Sequence, residues 1–151
     1  MKFKNIIGVF GLPLAKDGKI LLTQRYMPQD ERFHLKWQMP GGGMEYGEST
    51  TQTLKREIRE EIGVDNEILF PHPIIVTTTL DNNHFLFLTY IIQIFGTPNL
   101  DNDPDWETAD WKWFTREQAL KLDKLSGVEE ALKQAFVIID QNDIIKKIKT
   151  K

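Results

Sequence analysis

The chain has 151 residues, enough for one domain (1–151), and 19 basic against 22 acidic residues, a net charge of −3 that provides no basic field for gripping a long nucleic acid. It has no cysteine, which excludes a disulfide framework, a thiolate nucleophile and Cys-rich zinc or iron–sulfur sites. Its longest apolar run, Phe85–Phe95, is broken by Thr89, Tyr90 and Gln93 and falls short of the roughly 20 residues of a bilayer span. The opening MKFKNIIGVFGLPL has no A-x-A cleavage pattern. The expectation is a soluble, cytoplasmic protein with no membrane partner.

In chain order, Ile6–Leu14 and Ile20–Arg25 read as strands joined at the Asp17-Gly18 turn signal, a hairpin. Tyr26–Lys36 is polar and irregular, and loops of that length often bind ligands. Three glycines, Gly41–Gly43, precede a helix that Ser49 caps with Gln52 as reciprocal partner and Gly63 ends. Leu54, Ile58 and Ile62 form its buried stripe.

Ile68–Leu80 and His84–Phe95 are β-branched and aromatic and flank Asp81-Asn82-Asn83, which predicts a second hairpin. Acidic Asp101–Asp110 leads into a short strand at Trp111–Phe114. Thr115-x-x-Gln118 and Ser126-x-x-Glu129 both fit a capping box and open two more helices, the second with Val128, Leu132, Ala135, Phe136 and Ile139 facing the core. Residues 141–151, rich in lysine, read as a solvated, fraying tail. Strands interleaved with one central and two late helices predict an α/β protein, a mixed sheet covered by helices on its faces.

The central helix carries Glu57, Glu60 and Glu61 at i, i+3 and i+4, within a wedge of about 100°. Like charges at that spacing repel, so clustering them beside a buried stripe disfavours the fold unless a cation sits there. Carboxylate oxygens favour Mg²⁺ or Mn²⁺ over zinc, and His34, His72 and His84 have no ligand spacing. Arg56 can reach Glu60 at i+4 or Glu48 across the loop and orient either with its forked donors. The glycines let backbone approach a metal or phosphates closely, although no Gly-Lys-Ser/Thr follows them as in a P-loop.

Gly42, Glu48, Arg56, Glu57, Ile58, Glu60, Glu61, Gly63 and Val64 match the Nudix box, G-x5-E-x7-R-E-U-x-E-E-x-G-U with U aliphatic, at every position. The chain thus resembles the Nudix hydrolases. The resemblance implies an α/β/α sandwich with the box as loop–helix–loop, and divalent-metal hydrolysis of a nucleoside diphosphate linked to another group. It implies metal ligation by Glu57, Glu60, Glu61 and the Gly41 carbonyl, support from Glu48 and Arg56, and frequent homodimers. Glu57 is the favoured general base, with Glu107 of the acidic segment as rival.

WQMPGGGMEYGES is similar to the MutT-like branch, whose members release a nucleoside monophosphate and pyrophosphate. Asp103-Pro104 and Trp111–Phe114 resemble that branch's late Glu-Pro…Trp-x-Trp signature, with Asp in place of Glu and the spacing stretched. Substrate-binding candidates are Arg25 for phosphate, Gly42 and Gly43 through their backbone, and Gln38 for a base edge, with Phe85, Phe87 or Trp106 available to stack. Leu80 or a neighbour stands where ADP-ribose hydrolases usually have a proline, which disfavours ADP-ribose; ADP-ribose, a nucleotide-sugar or a dinucleoside polyphosphate are the alternatives to a triphosphate. A non-catalytic binding module is disfavoured because every box carboxylate is present. Glu45–Glu61 holds five acids against Lys55, Arg56 and Arg59, and Asp101–Asp110 holds five with no base. A pocket between them would repel polyphosphate until divalent ions reversed its sign.

Overall fold

The computed structural model describes residues 2–150; Met1 and Lys151, which the N-terminal and tail expectations include, lie outside it. The strands are β1 (Asn5–Pro13), β2 (Ile20–Arg25), β3 (Trp37–Gln38), β4 (Gly41–Gly43), β5 (Asp65–Ile68), β6 (Ile74–Leu80), β7 (Asn83–Phe95) and β8 (Thr108–Phe114). The helices are α1 (Thr50–Ile62), α2 (Arg116–Lys121) and α3 (Val128–Gln141), followed by a 3₁₀ turn at Ile144–Lys147.

One sheet runs β4-β1-β7 with β6 and β5 end to end along the far edge of β7, and in it β1 and β7 are the parallel pair. A second sheet runs β3-β2-β8, antiparallel throughout. Strand alternation divides the core between two faces. Val9, Leu21, Leu88, Tyr90 and Ile92 pack with Leu54, Ile58 and Ile62 of α1, while Leu12, Ile20, Leu22 and Ile91 pack with Leu132, Ala135 and Phe136 of α3. Helices therefore cover opposite faces, the expected α/β/α arrangement.

Several local expectations are corrected. The first hairpin holds only at its base, the Leu14–Ile20 bridge. Beyond it β1 is already bonded to β7 on one side and β4 on the other, so β2 takes β3 and β8 and enters the other sheet. Ile68–Leu80 is two strands, because Pro71 and Pro73 fall where the ladder would need N–H donors. The second hairpin is present, with Asp81 and Asn82 at φ 51° and 64°, the left-handed pair of a tight turn.

Ser49 and Thr115 form the predicted capping boxes, but the N-cap of α3 is Gly127 (φ 86°), with no side-chain cap, so Ser126 does not serve as one. The tail is not solvated through Lys149. Ile144 and Ile148 are buried, and the Gln93 side chain donates to the Lys149 carbonyl (2.7 Å) and accepts from its N–H (2.9 Å). The two isoleucines among the lysines supply the apolar anchor.

Candidate active site

The glycine strand and α1 are built to meet. β4 lies along β1, pairing Gly42 with Val9 and Gly43 with Gly8, while α1 packs its Leu54-Ile58-Ile62 stripe beneath. This brings Gly42 against Glu57, and a Cβ added at Gly42 would stand 2.5 Å from Glu57 Oε2. Glycine is needed there for close approach. Gly43 has open space around it, and its carbonyl accepts from Arg56 Nη2 at 3.0 Å.

Arg56 gathers the box carboxylates. Its Nε donates to Glu48 Oε2 (2.8 Å), Nη2 to Glu48 Oε1 (2.9 Å), and Nη1 to Glu57 Oε1 (2.8 Å) and Glu60 Oε2 (3.3 Å). Both of its anticipated partners are engaged at once, and Glu57 is added to them. Glu48 also accepts from the Glu45 N–H and the Thr53 hydroxyl, and the guanidinium holds its carboxyl down to about 2. Glu57 goes the other way. Burial raises it despite Arg56, with the charges of Glu60 and Asp105 adding to the rise.

Glu61 is buried and surrounded by neutral donors. Its Oε2 accepts from the Gly41 N–H (2.7 Å), and its Oε1 from the hydroxyls of Thr23 (3.2 Å) and Thr108 (3.0 Å). Among the described residues no Lys, Arg or His lies in ion-pair contact with it. Burial pushes its carboxyl up to about 7, opposed by those three hydrogen bonds and reinforced by the charge of Asp103. A buried carboxyl with no cationic side chain beside it among the described residues is a place a cation would be welcome.

Other predicted residues form a separate group. Arg25 ends β2 with Nη1 3.9 Å from Glu107 Oε2, and its buried Nε has no partner. The backbone of Glu107 is tied down as well: its carbonyl accepts from the Tyr26 N–H, and its N–H donates to Asp103 Oδ2. Asp103, buried, also accepts from the Asp105 N–H and so shapes the acidic loop. That loop lies close enough for Asp103 and Asp105 to act on Glu61 and Glu57, whereas Glu107 is directed to Arg25. Trp106 is 75% exposed at φ 52° and does not line the cavity described next.

A cavity of about 60 Å³ lies on the α3 side of the glycine strand, lined by Gln38, Phe10, Phe87, Thr89 and the Leu125–Gly127 turn, among others. Phe10 and Phe87 meet edge to face at 5.4 Å. Gln38 and Phe87 are thus brought together, while Phe85 stacks behind Phe87 at 5.6 Å. Sequence reasoning missed Thr23, Thr108 and Asp105, and singled out Asp103 only through the Asp103-Pro104 resemblance. Thr23 carried a signal, as a polar residue in phase with Leu21 in the apolar run of β2.

A NUDIX domain profile matches residues 4–135. The chain is 37% identical over 95 residues to Nucleoside triphosphatase NudI of Enterobacter sp. (strain 638), a match covering 58% of this chain and 67% of that protein. It is 49% identical over 62 residues to 8-oxo-dGTP diphosphatase of Haemophilus influenzae (strain ATCC 51907 / DSM 11121 / KW20 / Rd), over 40% of this chain and only 44% of the relative. The crystal structure of MutT NUDIX hydrolase from Burkholderia pseudomallei superposes with a TM-score of 0.69 at 22% identity, covering 86% of this chain and 97% of that one, a likeness of fold. The chain belongs to the NUDIX domain family and is, at that level, a hydrolase acting on phosphoric anhydrides.

Proposed function

We propose that the protein is a divalent-metal-dependent nucleoside triphosphate diphosphatase, releasing a nucleoside monophosphate and pyrophosphate. The observation that carries this reading is Glu61, a buried carboxylate with no cationic partner among the described residues, beside the glycine strand and the Arg56-held acids. The names of the NudI and 8-oxo-dGTP diphosphatase relatives support the triphosphate choice.

The donor chemistry fits Mg²⁺ or Mn²⁺: hard carboxylate oxygens and no soft ligand. Among the described residues no three acidic or histidine side chains stand ready at ligand spacing, since Arg56 engages Glu57 and Glu60. Glu57, Glu60, Glu61 and the Gly41 carbonyl are the ligands we assign. When bound, the metal neutralises pyrophosphate oxygens and lowers the pKa of attacking water.

The chain's own groups do the rest. Glu57, held by Arg56 in the notch at Gly42, accepts the proton of the water that attacks phosphorus. Arg25 donates to a phosphate oxygen, and Glu107 releases it on substrate binding. Gln38 and Phe87 take the base at the cavity edge, one by hydrogen bonding and the other by its ring face.

The test is a nucleotide panel with products resolved by mass, with Mg²⁺ and after exhaustive chelation. A triphosphate giving monophosphate plus pyrophosphate only with metal is expected. Release of orthophosphate instead, or full turnover after chelation, overturns the reading.

A further inference from the structure

Glu61 projects from α1 toward the second sheet, and two hydroxyls of that sheet close on one of its oxygens. Thr23 is fully buried in β2, two residues beyond Leu21 and therefore on the face that meets α1. Thr108 opens β8. Its register with β2 shifts between Gln24 and Arg25, so that Thr108 stands opposite Arg25 while Trp111 stands opposite Thr23. That irregularity puts Thr23, Arg25, Thr108 and Trp111 on one face in spite of the odd spacing from 108 to 111, and so turns the Thr108 hydroxyl inward.

The two donors are not interchangeable with packing. Thr23 Oγ1 lies 3.2 Å from Glu61 Oε1 and 3.4 Å from the Gln38 carbonyl, and its single proton favours the shorter, charge-assisted contact. With Thr108 at 3.0 Å, Oε1 accepts two hydrogen bonds from the second sheet. Among the described residues Oε2 accepts only the Gly41 N–H.

We propose that Thr23 and Thr108 are positioning residues that lock Glu61 Oε1 away from the cation and present Oε2 alone to it. This rests on Glu61 being a metal ligand, as assigned above. The second sheet then acts on the site through these hydroxyls rather than merely covering it.

The experiment measures Mn²⁺ affinity by electron paramagnetic resonance, without nucleotide and well below each variant's melting temperature, so that loss of stability alone moves nothing. T23V/T108V is expected to bind Mn²⁺ about 10-fold or more weakly, the usual scale for groups that orient metal ligands, and T23S/T108S to stay within about twofold of wild type. T108V, at a strand end, serves if the double variant does not fold, with a loss of several-fold expected. Unchanged or tighter binding in the folded valine variants overturns the proposal. E61Q, run in parallel, separates the two failures. Weakened binding in E61Q with wild-type affinity in the valine variants removes the threonine role alone, whereas wild-type affinity in E61Q removes both it and the ligand assignment.

Discussion

Arg56 grips Glu48 with two parallel hydrogen bonds, Nε to Oε2 at 2.8 Å and Nη2 to Oε1 at 2.9 Å, and the same guanidinium reaches Glu57 through Nη1 at 2.8 Å. Glu48 fixes the plane of the arginine, and the arginine fixes the acid assigned as base. Lysine keeps the charge but has no planar fork and cannot hold both. R56K should therefore lower kcat about 100-fold, the scale of a small misplacement of a catalytic group, and alter KM much less. Steady-state kinetics checks this, and kcat within threefold of wild type would remove Arg56 from the role.

The glycines make unequal demands. G42A puts a methyl 2.5 Å from Glu57 Oε2, whereas G43A meets nothing within 4 Å. The first should cut turnover by roughly 10-fold or more by pushing Glu57 out of its notch. The second should be close to wild type. Equal activity in the two variants would mean that Glu57 does not work from the position seen here.

Glu61→Gln preserves shape and removes the buried charge. Hydrolysis should fall about 10³-fold or more, on the scale of losing a group that stabilises developing charge, while circular dichroism stays that of wild type. Wild-type turnover in E61Q would sink the metal-ligand assignment.

The pH dependence of stability has a definite sign. Glu61 is held up to about 7 against an ordinary 4.5, so the native state binds this proton more tightly than the unfolded chain. In metal-free protein its contribution is most favourable below about pH 4.5 and is lost as pH rises to about 7. Glu48, held down to about 2, contributes stability that is present above about 4.5 and lost as pH falls toward 2. Because Mn²⁺ binds the ionised carboxylate, the melting-temperature gain it gives should be larger at about pH 8 than at about pH 5. Thermal melts with Mn²⁺ or chelator measure it, and equal gains at both values would contradict the linkage.

On the helix itself, Ile58 is fully buried between the sheets and the carboxylate face. I58A should cost about 2–5 kcal/mol in denaturant unfolding, as for other large-to-small core changes. A cost under about 1 kcal/mol would mean that α1 is not anchored by its apolar stripe.

The local periodicities of the sequence determined the elements. Ser49 and Gly63 bound α1, Leu54, Ile58 and Ile62 give it one apolar face, and the spacing of Glu57, Glu60 and Glu61 puts the acids together, since all of these depend on contacts within one or two helical turns. The box residues also pointed to the family that the profile match shows. Non-local competition lay beyond the reach of pattern. β1 and β2 look like a hairpin, but which edges are free is decided by β4, β7, β3 and β8. The lysine-rich end looks solvated until Gln93, 56 residues away, clasps the Lys149 backbone.

The same division holds within the site. That Glu57, Glu60 and Glu61 cluster on one face was determined by helical spacing alone. That Arg56 holds Glu48, Glu57 and Glu60 together, while Glu61 lies apart with Gly41, Thr23 and Thr108, was decided only by the packing of α1 against two sheets. Burial and hydrogen-bond partners belong to the assembled fold, and they set whether a carboxylate in a run of glutamates rests near 2 or near 7.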